Sequence, residues 1–360
     1  MSRNRTYTLL AVMLTVLALT SCRRDLWVYT DEYRQVELYT DWTWSDERPD
    51  GMTAWFISND FDGRNRHVTT ADIDHTWLNL PRGRFTGIVF DWSPAEYANQ
   101  DFVGMEYPDE AKVQARPASV QPEYDEDLYG DRALTADMYI PVVDSTSMFL
   151  LSVTPDPMCV DTLQNVNIIT GVIGDLVLWK DREEYEASLV TQTFFAEPHP
   201  VIWELNAQIY VRGMQYLHSI TSSVAGLSDG LMLADLSHSP DVCLHPIETW
   251  EARYLSDSLA IIFTTIHTFG LPEPAFTSAG LDDDKHLRLN LRCLLRDEET
   301  VLYFHFDIGP ESIQIFEDQR LLRIEITEPI SLPYVDAKGS AGFDATVSPW
   351  LPGGNADVTI

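Results

Sequence analysis

Val201-Ile202-Trp203-Glu204-Leu205-Asn206-Ala207-Gln208-Ile209-Tyr210-Val211-Arg212 is the stretch that decides the fold class of this chain. Val201, Trp203, Leu205, Ala207, Ile209 and Val211 alternate with Glu204, Asn206, Gln208 and Arg212. Successive side chains of a strand point to opposite faces, so the alternation describes a half-buried strand with one core face. Similar patterns predict strands over 259–269, 287–295, 301–308 and 321–326, with Asp297-Glu298-Glu299 as a tight turn between two of them. Upstream, Val36, Leu38, Trp42 and Trp44 fall on one face of a first strand, and 51–57 reads as a second. Residues 76–80, a Pro81-Arg82-Gly83 turn and 84–92 read as a hairpin, Asp62-Gly63 as a turn dipeptide, and 148–154 as a further strand. Only 181–189, with several acids and good helix formers, suggests a short helix. Long strands with few helices between them predict an all-β protein of antiparallel sandwiches rather than a parallel sheet. No short-period repeat is present, which excludes a solenoid or propeller.

The amino terminus predicts where the mature protein begins. Arg3 and Arg5 form a basic head, residues 9–19 an apolar run, and Leu19-Thr20-Ser21-Cys22 closes it. This is the pattern of a secretory signal, and its ending on cysteine is that of a bacterial lipoprotein, in which the Cys22 thiol takes the lipid. The apolar run is too short to span a bilayer, which needs about 20 residues. The expected organisation is a signal peptide at 1–21, a lipidated tether at 22–35, an N-terminal β-sandwich domain at 36–197 and a C-terminal one at 198–360. The proline pair in Glu197-Pro198-His199-Pro200 suits an extended linker at that boundary. Arg23 and Arg24 directly after the lipidated residue are not an acidic run, and leave inward or outward orientation open.

The chain has 360 residues and a formal net charge of −32. Removing 1–21 takes away two arginines and no acid, so the mature chain is more acidic still. Such a surface repels nucleic acid and anionic headgroups. With 45% hydrophobic residues and ten tryptophans, the acids cover a folded protein rather than a disordered one. After Cys22, three cysteines remain: Cys159, Cys243 and Cys293. Cys293 alternates with Leu289, Leu291 and Leu295 and reads as a small buried hydrophobe. Whether Cys159 and Cys243 pair is not readable from spacing.

Candidate chemistry is sparse. Gly226-Leu227-Ser228-Asp229-Gly230 matches a nucleophile elbow, but that motif needs a strand before it and a helix after it. The flanks here read as two strands, so a hairpin turn at Ser228 explains it better. His238, Cys243 and His245 are near in sequence, yet no second ligand pair completes a tetrahedral site. Asp282-Asp283-Asp284 and Asp60-x-Asp62-Gly63-x-Asn65 offer oxygens without the downstream bidentate glutamate of a calcium loop. Trp42, Trp44, Trp55, Trp77 and Trp92 crowd the first half and are expected mainly in the core, although tryptophans on a sheet can also stack on sugars. No catalytic, metal or cofactor site is predicted.

Several short motifs in order resemble a known family: Cys22-Arg23-Arg24-Asp25-Leu26, the 36–44 strand, Pro49-Asp50-Gly51-Met52 before Trp55-Phe56, and Leu80-Pro81-Arg82-Gly83. The second half adds Val211-Arg212-Gly213-Met214-Gln215-Tyr216-Leu217, Val224-Ala225-Gly226-Leu227, Thr268-Phe269-Gly270-Leu271 and Gly342-Phe343-Asp344-Ala345-Thr346-Val347. Together they are similar to the fimbrillin-like surface lipoproteins of Bacteroidales, near the minor anchor and accessory subunits of their fimbriae and in a branch of uncharacterised function. The resemblance implies two tandem transthyretin-like β-sandwiches, a role as tip, shaft or base subunit, and no catalytic residues. A distinct arginine-cut propeptide of the shaft type is missing, which points to an anchor or a non-polymerised surface protein.

The expected function is that of a non-enzymatic, lipid-anchored outer-membrane protein of fimbrial type. Its expected partners are the membrane through Cys22 and fimbrial subunits through strand exchange, with 350–360 either donated or paired internally. The alternatives are a glycan-binding surface lipoprotein using exposed tryptophans and, on Ser228 alone, a hydrolase.

Overall fold

A computed structural model describes residues 33–60, 63–117, 150–168, 191–247, 249–273, 287–338 and 358–359. The signal peptide, Cys22, the 181–189 helix and Asp282-Asp283-Asp284 lie outside the described residues. The first half of the chain supplies β1 (Tyr33–Thr40), β2 (Met52–Ser58), β3 (Arg66–Thr70), β4 (His75–Pro81), β5 (Gly83–Asp91), β6 (Gln100–Val103), β7 (Lys112–Ala115), β8 (Leu150–Leu151), β9 (Cys159–Ile168), β10 (Gln192–Ala196) and β11 (His199–Pro200). The second supplies β12 (Trp203–Arg212), β13 (Leu217–Ser228), β14 (Gly230–Met232), β15 (Val242–Ile247), β16 (Glu251–Ser256), β17 (Leu259–Thr268), β18 (Arg288–Leu295), β19 (Val301–Asp307), β20 (Ile313–Phe316), β21 (Leu321–Ser331) and β22 (Val358–Thr359). Among the described residues the only helical elements are short 3₁₀ turns. The chain is all-β, as the alternation predicts.

The two halves repeat one topology. Sheets ordered β10-β1-β4 and β11-β9-β5-β2-β3 face each other in the first half. In the second, β21-β12-β17 and β19-β18-β13-β15 form the central parts of two larger sheets. In each half the first strand runs antiparallel to one neighbour (β4, β17) and parallel to the last long strand (β10, β21). In each, the second strand pairs antiparallel with both its flanking partners. Val36, Leu38, Met52, Phe56, Leu78, Phe85 and Val89 fill the first core; Leu205, Ile209, Val224, Ile262, Leu289, Leu291 and Ile324 are part of the second. These are the two tandem sandwiches that the family resemblance implies.

Several local expectations change. The segments around Pro81-Arg82-Gly83 do not pair with each other: β4 pairs with β1, and β5 with β2 and β9. The turn carries the chain from one layer to the opposite one. β1 stops at Thr40, where Asp41 Oδ1 accepts the Thr43 N–H at 3.0 Å, and this turn breaks the period of two. Trp42 then enters the core, its Nε1–H donating to Ile73 O at 2.8 Å, whereas Trp44 is exposed and stacks on His199. The ten-residue β9 was not legible, because Asn165 at φ 57 and a register shift opposite Phe85–Gly87 interrupt its alternation. The 197–200 segment is extended, as its prolines require, and its last two residues pair with β9.

A third core joins the halves. β7 pairs with β6 on one side and with β14 on the other, so one three-stranded sheet holds segments from both halves. Ile57, Ile88, Phe90, Tyr97, Val113, Val160, Leu231 and Phe269 pack beneath it. β5 is therefore covered on both faces, which is why it reads as a continuous apolar run rather than an alternating one. β8 also crosses over, pairing in parallel with β15 of the second half.

Candidate functional site

Ser228 ends β13 and is fully buried. Its hydroxyl lies 2.8 Å from Gly230 O and 3.0 Å from Ser239 O, so its proton is committed to backbone carbonyls inside the protein. The expected hairpin at this serine does not form: β14 leaves β13 and pairs with β7. Gly230 permits that approach, since a Cβ there would stand 2.3 Å from Val113 O. The neighbouring Asp229 accepts a hydrogen bond from Lys112 Nζ at 2.8 Å, with both side chains about nine-tenths buried. The elbow-like motif is thus a clamp between the halves.

The candidate metal ligands separate into two places. Cys243 and His245, two apart on β15, point the same way, with Sγ and Nε2 at 3.4 Å. His245 Nδ1 sits 3.1 Å from Ser152 O, next to β8. Burial lowers the His245 pKa to about 4 and pushes the Cys243 thiol up to about 12. His238 instead lies against Trp203, edge to face at 5.8 Å. Cys159, Cys243 and Cys293 are all free and buried, with no bridge between Cys159 and Cys243. Asp60 Oδ1 accepts from Arg84 at 2.8 Å, Asn65 Oδ1 accepts the Ser58 N–H, and Asn65 Nδ2 donates to Glu106 O. Asp62 lies outside the described residues.

The tryptophans divide. Trp42 is buried, Trp55 and Trp92 are half-buried against the shared core, and Trp44 and Trp77 are exposed. Trp77 belongs to a cluster that sequence reading missed. On the outer face of the β10-β1-β4 sheet, Phe195, Tyr39 and His75 form one cross-strand row. Tyr39 stacks on His75 (4.3 Å between centroids, 12° between planes) and on Phe195 (5.6 Å, 20°). Trp77, two residues along β4, meets His75 edge-on at 5.6 Å. Glu37 lies between Trp77 and Thr193 in register, its carboxylate accepting from Thr193 Oγ1 at 3.3 Å and standing 3.9 Å from His75 Nε2. The signal was present in the outward positions of β1 (Gln35, Glu37, Tyr39), but their partners are remote in sequence.

Next to this row, the loops before β2 and β4 border an open cleft of about 450 Å³. Arg48, Asp50, Asp72, Asp74 and His75 line it, and Arg48 bonds Asp74 across it at 2.5 Å. His75 belongs both to the cleft and to the aromatic row.

Paired sandwiches of one topology, joined by a shared sheet, place the chain in a class of tandem β-sandwich proteins. A candidate adhesin from Bacteroides ovatus has the same fold, with a TM-score of 0.50 at 15% identity over 82% of this chain and 93% of that one. The chain belongs to the family described as Domain of unknown function (DUF5119), which matches residues 21–243. More distant likenesses include the fimbrial anchor protein Mfa2 from Porphyromonas gingivalis (TM-score 0.39, 10% identity, 77% of this chain and 82% of that one). Another is a candidate polysaccharide-binding protein (DUF1812) from Bacteroides thetaiotaomicron (TM-score 0.40, 9% identity, 81% of this chain and 89% of that one). No curated protein shows significant sequence similarity to the chain.

Proposed function

We propose that this chain is a non-enzymatic outer-membrane lipoprotein of fimbrial type, held by lipid on Cys22 and acting at the cell surface as an anchor, accessory subunit or adhesin. The observation that carries this reading is the tandem sandwich fold shared with the Bacteroides ovatus candidate adhesin. The lipoprotein pattern ending at Cys22 supports the anchor. Acyl chains contribute about 0.8 kcal/mol per buried methylene, so several together give lasting attachment. Among the described residues no helix is long and apolar enough to cross a membrane. The proposed organisation is a signal peptide at 1–21, a tether at 22–35, and sandwich domains at 36–197 and 198–360.

Strand exchange with neighbouring subunits is the proposed mode of assembly. β16 is a mostly exposed strand, and β22 covers only Glu251 and Ala252 of it. A short carboxy-terminal strand on an otherwise open edge is an arrangement another chain's strand can replace.

The test feeds cells a tagged palmitate and compares the full chain with Cys22→Ala. The wild type takes the tag and sediments with outer membranes, while the variant does neither. An unmodified, uncleaved amino terminus in the wild type overturns the anchor. Failure of the protein to co-sediment with any surface fibre overturns the subunit role.

A further inference from the structure

The outer face of the β10-β1-β4 sheet holds more exposed aromatic surface than cross-strand packing requires. Phe195 is 70% exposed, Trp77 47% and Tyr39 38%. The inner face of the same strands already supplies Val36, Leu38, Leu78 and Leu80 to the core. The stacked row ends at Phe195 on β10, which pairs only with β1 in this sheet, and Trp77 stands at the far end, turned 62° from His75.

We infer that this face and the adjoining cleft form one binding site for a neutral polysaccharide. The inference deepens the surface-protein reading above by naming a ligand class, and rests on it for access to glycans. Three properties select that ligand. First, aromatic rings offer apolar faces with a polarised π-system, which suit the C–H face of a pyranose ring. Second, apolar rings and polar groups are interleaved: Glu37 and Thr193 form the next cross-strand row with Trp77, beside the Phe195–Tyr39–His75 row, and Arg48, Asp50, Asp72 and Asp74 line the cleft that meets the face at His75. Sugar hydroxyls both donate and accept, and can satisfy carboxylates and a guanidinium together, whereas an acyl chain satisfies neither. A cleft of about 450 Å³ is within the size range of small-ligand sites. Third, charge removes the competing polymers. Three aspartates face one arginine in the cleft, Glu37 sits on the same face beside Trp77, and the chain carries −32 overall. Nucleic acid also stacks on aromatic rings, but its phosphates are repelled here, as are uronate or sulfated glycans.

The test is affinity electrophoresis of the full-length protein in mild detergent, through gels containing dextran, mannan, xylan, galactan or laminarin, with polygalacturonate as the acidic control. At least one neutral polymer is expected to retard the wild type and polygalacturonate to leave it unretarded. Phe195→Ala and Trp77→Ala are each expected to weaken retardation at least tenfold while leaving the melting temperature within about 2 °C, since both rings project into solvent. Arg48→Ala, at the far side of the cleft, is expected to weaken it too. No retardation by any neutral polymer, equal retardation of wild type and both aromatic variants, or retardation only by polygalacturonate overturns the inference. So does saturable binding of a protein ligand through Phe195 and Trp77 without glycan binding. Protease shaving of intact cells separates the two readings: a protein digested at the surface but blind to all neutral polymers refutes only this inference, and a glycan-binding protein protected from shaving refutes only the surface location.

Discussion

Replacing Lys112 with methionine should uncouple the two halves of the protein. Lys112 on β7 and Asp229 at the β13–β14 turn are 12% and 11% exposed and meet at 2.8 Å. Asp229 Oδ1 has no hydrogen-bond partner, so the ammonium is the main compensation for that carboxylate. Asp241 also approaches Lys112 at 3.7 Å but is 76% exposed and adds little. Breaking a buried pair from one side costs about 3–5 kcal/mol, because the remaining charge stays desolvated. The residual exposure of both groups favours the lower end, about 3 kcal/mol. For a unit of 150–250 residues this corresponds to a fall in melting temperature of about 6–12 °C. The loss falls on the sheet shared by the halves, so calorimetry should split one transition into two, with the weaker moving down. Lys112→Met with Asp229→Leu removes both charges and should recover most of the loss, giving a coupling in the double-mutant cycle of at least about 1.5 kcal/mol. A single variant within about 0.5 kcal/mol of the wild type, or an additive cycle, refutes the clamp.

Three further outcomes follow from particular residues. His245 is buried and neutral, with its pKa lowered from 6.5 to about 4. Below pH 6.5 the unfolded chain takes up a proton that the folded one refuses, so stability is complete above that pH and falls as pH drops toward 4, by about 3 kcal/mol in all; urea midpoints across this range should show the fall, and His245→Phe should flatten it. Gly213→Ala should destabilise by about 2–3 kcal/mol, because φ is 78° and a Cβ would meet Leu332 O at 2.4 Å. Gly63→Ala, at φ 70° with open space around it, should cost only about 1 kcal/mol in the same urea titration.

From sequence, β12, β17, β18, β19 and the first part of β21 were legible, while β15, β16, β20, the aromatic face and the third core were not, and the reasons differ. β12 and β19 each pack one face on a core, so burial is written into their alternation. β5 and the end of β13 are covered on both faces and lose that mark. Trp42 and Trp44 looked equivalent at a spacing of two, but the turn at Asp41 sends one inward and leaves the other in water. Ser228 matched a catalytic motif whose meaning depended on which strand its neighbours joined. Tyr39 and Phe195 face each other across a parallel pair of strands from opposite ends of the first half, and no local pattern announces such a pair.

From the order of residues alone come the all-β class, β12 and β17 to β19, the acidic surface and the lipoprotein pattern at Cys22, because strand period, charge and targeting signals are local properties. Only the tertiary structure decided which layer each strand enters, that Pro81-Arg82-Gly83 crosses between sheets, that Lys112 and Asp229 clamp the halves, and that His75 joins an aromatic row to a cleft. Those outcomes depend on pairings between residues far apart in the chain, and pairing is selected by the packing of whole faces rather than by any one segment.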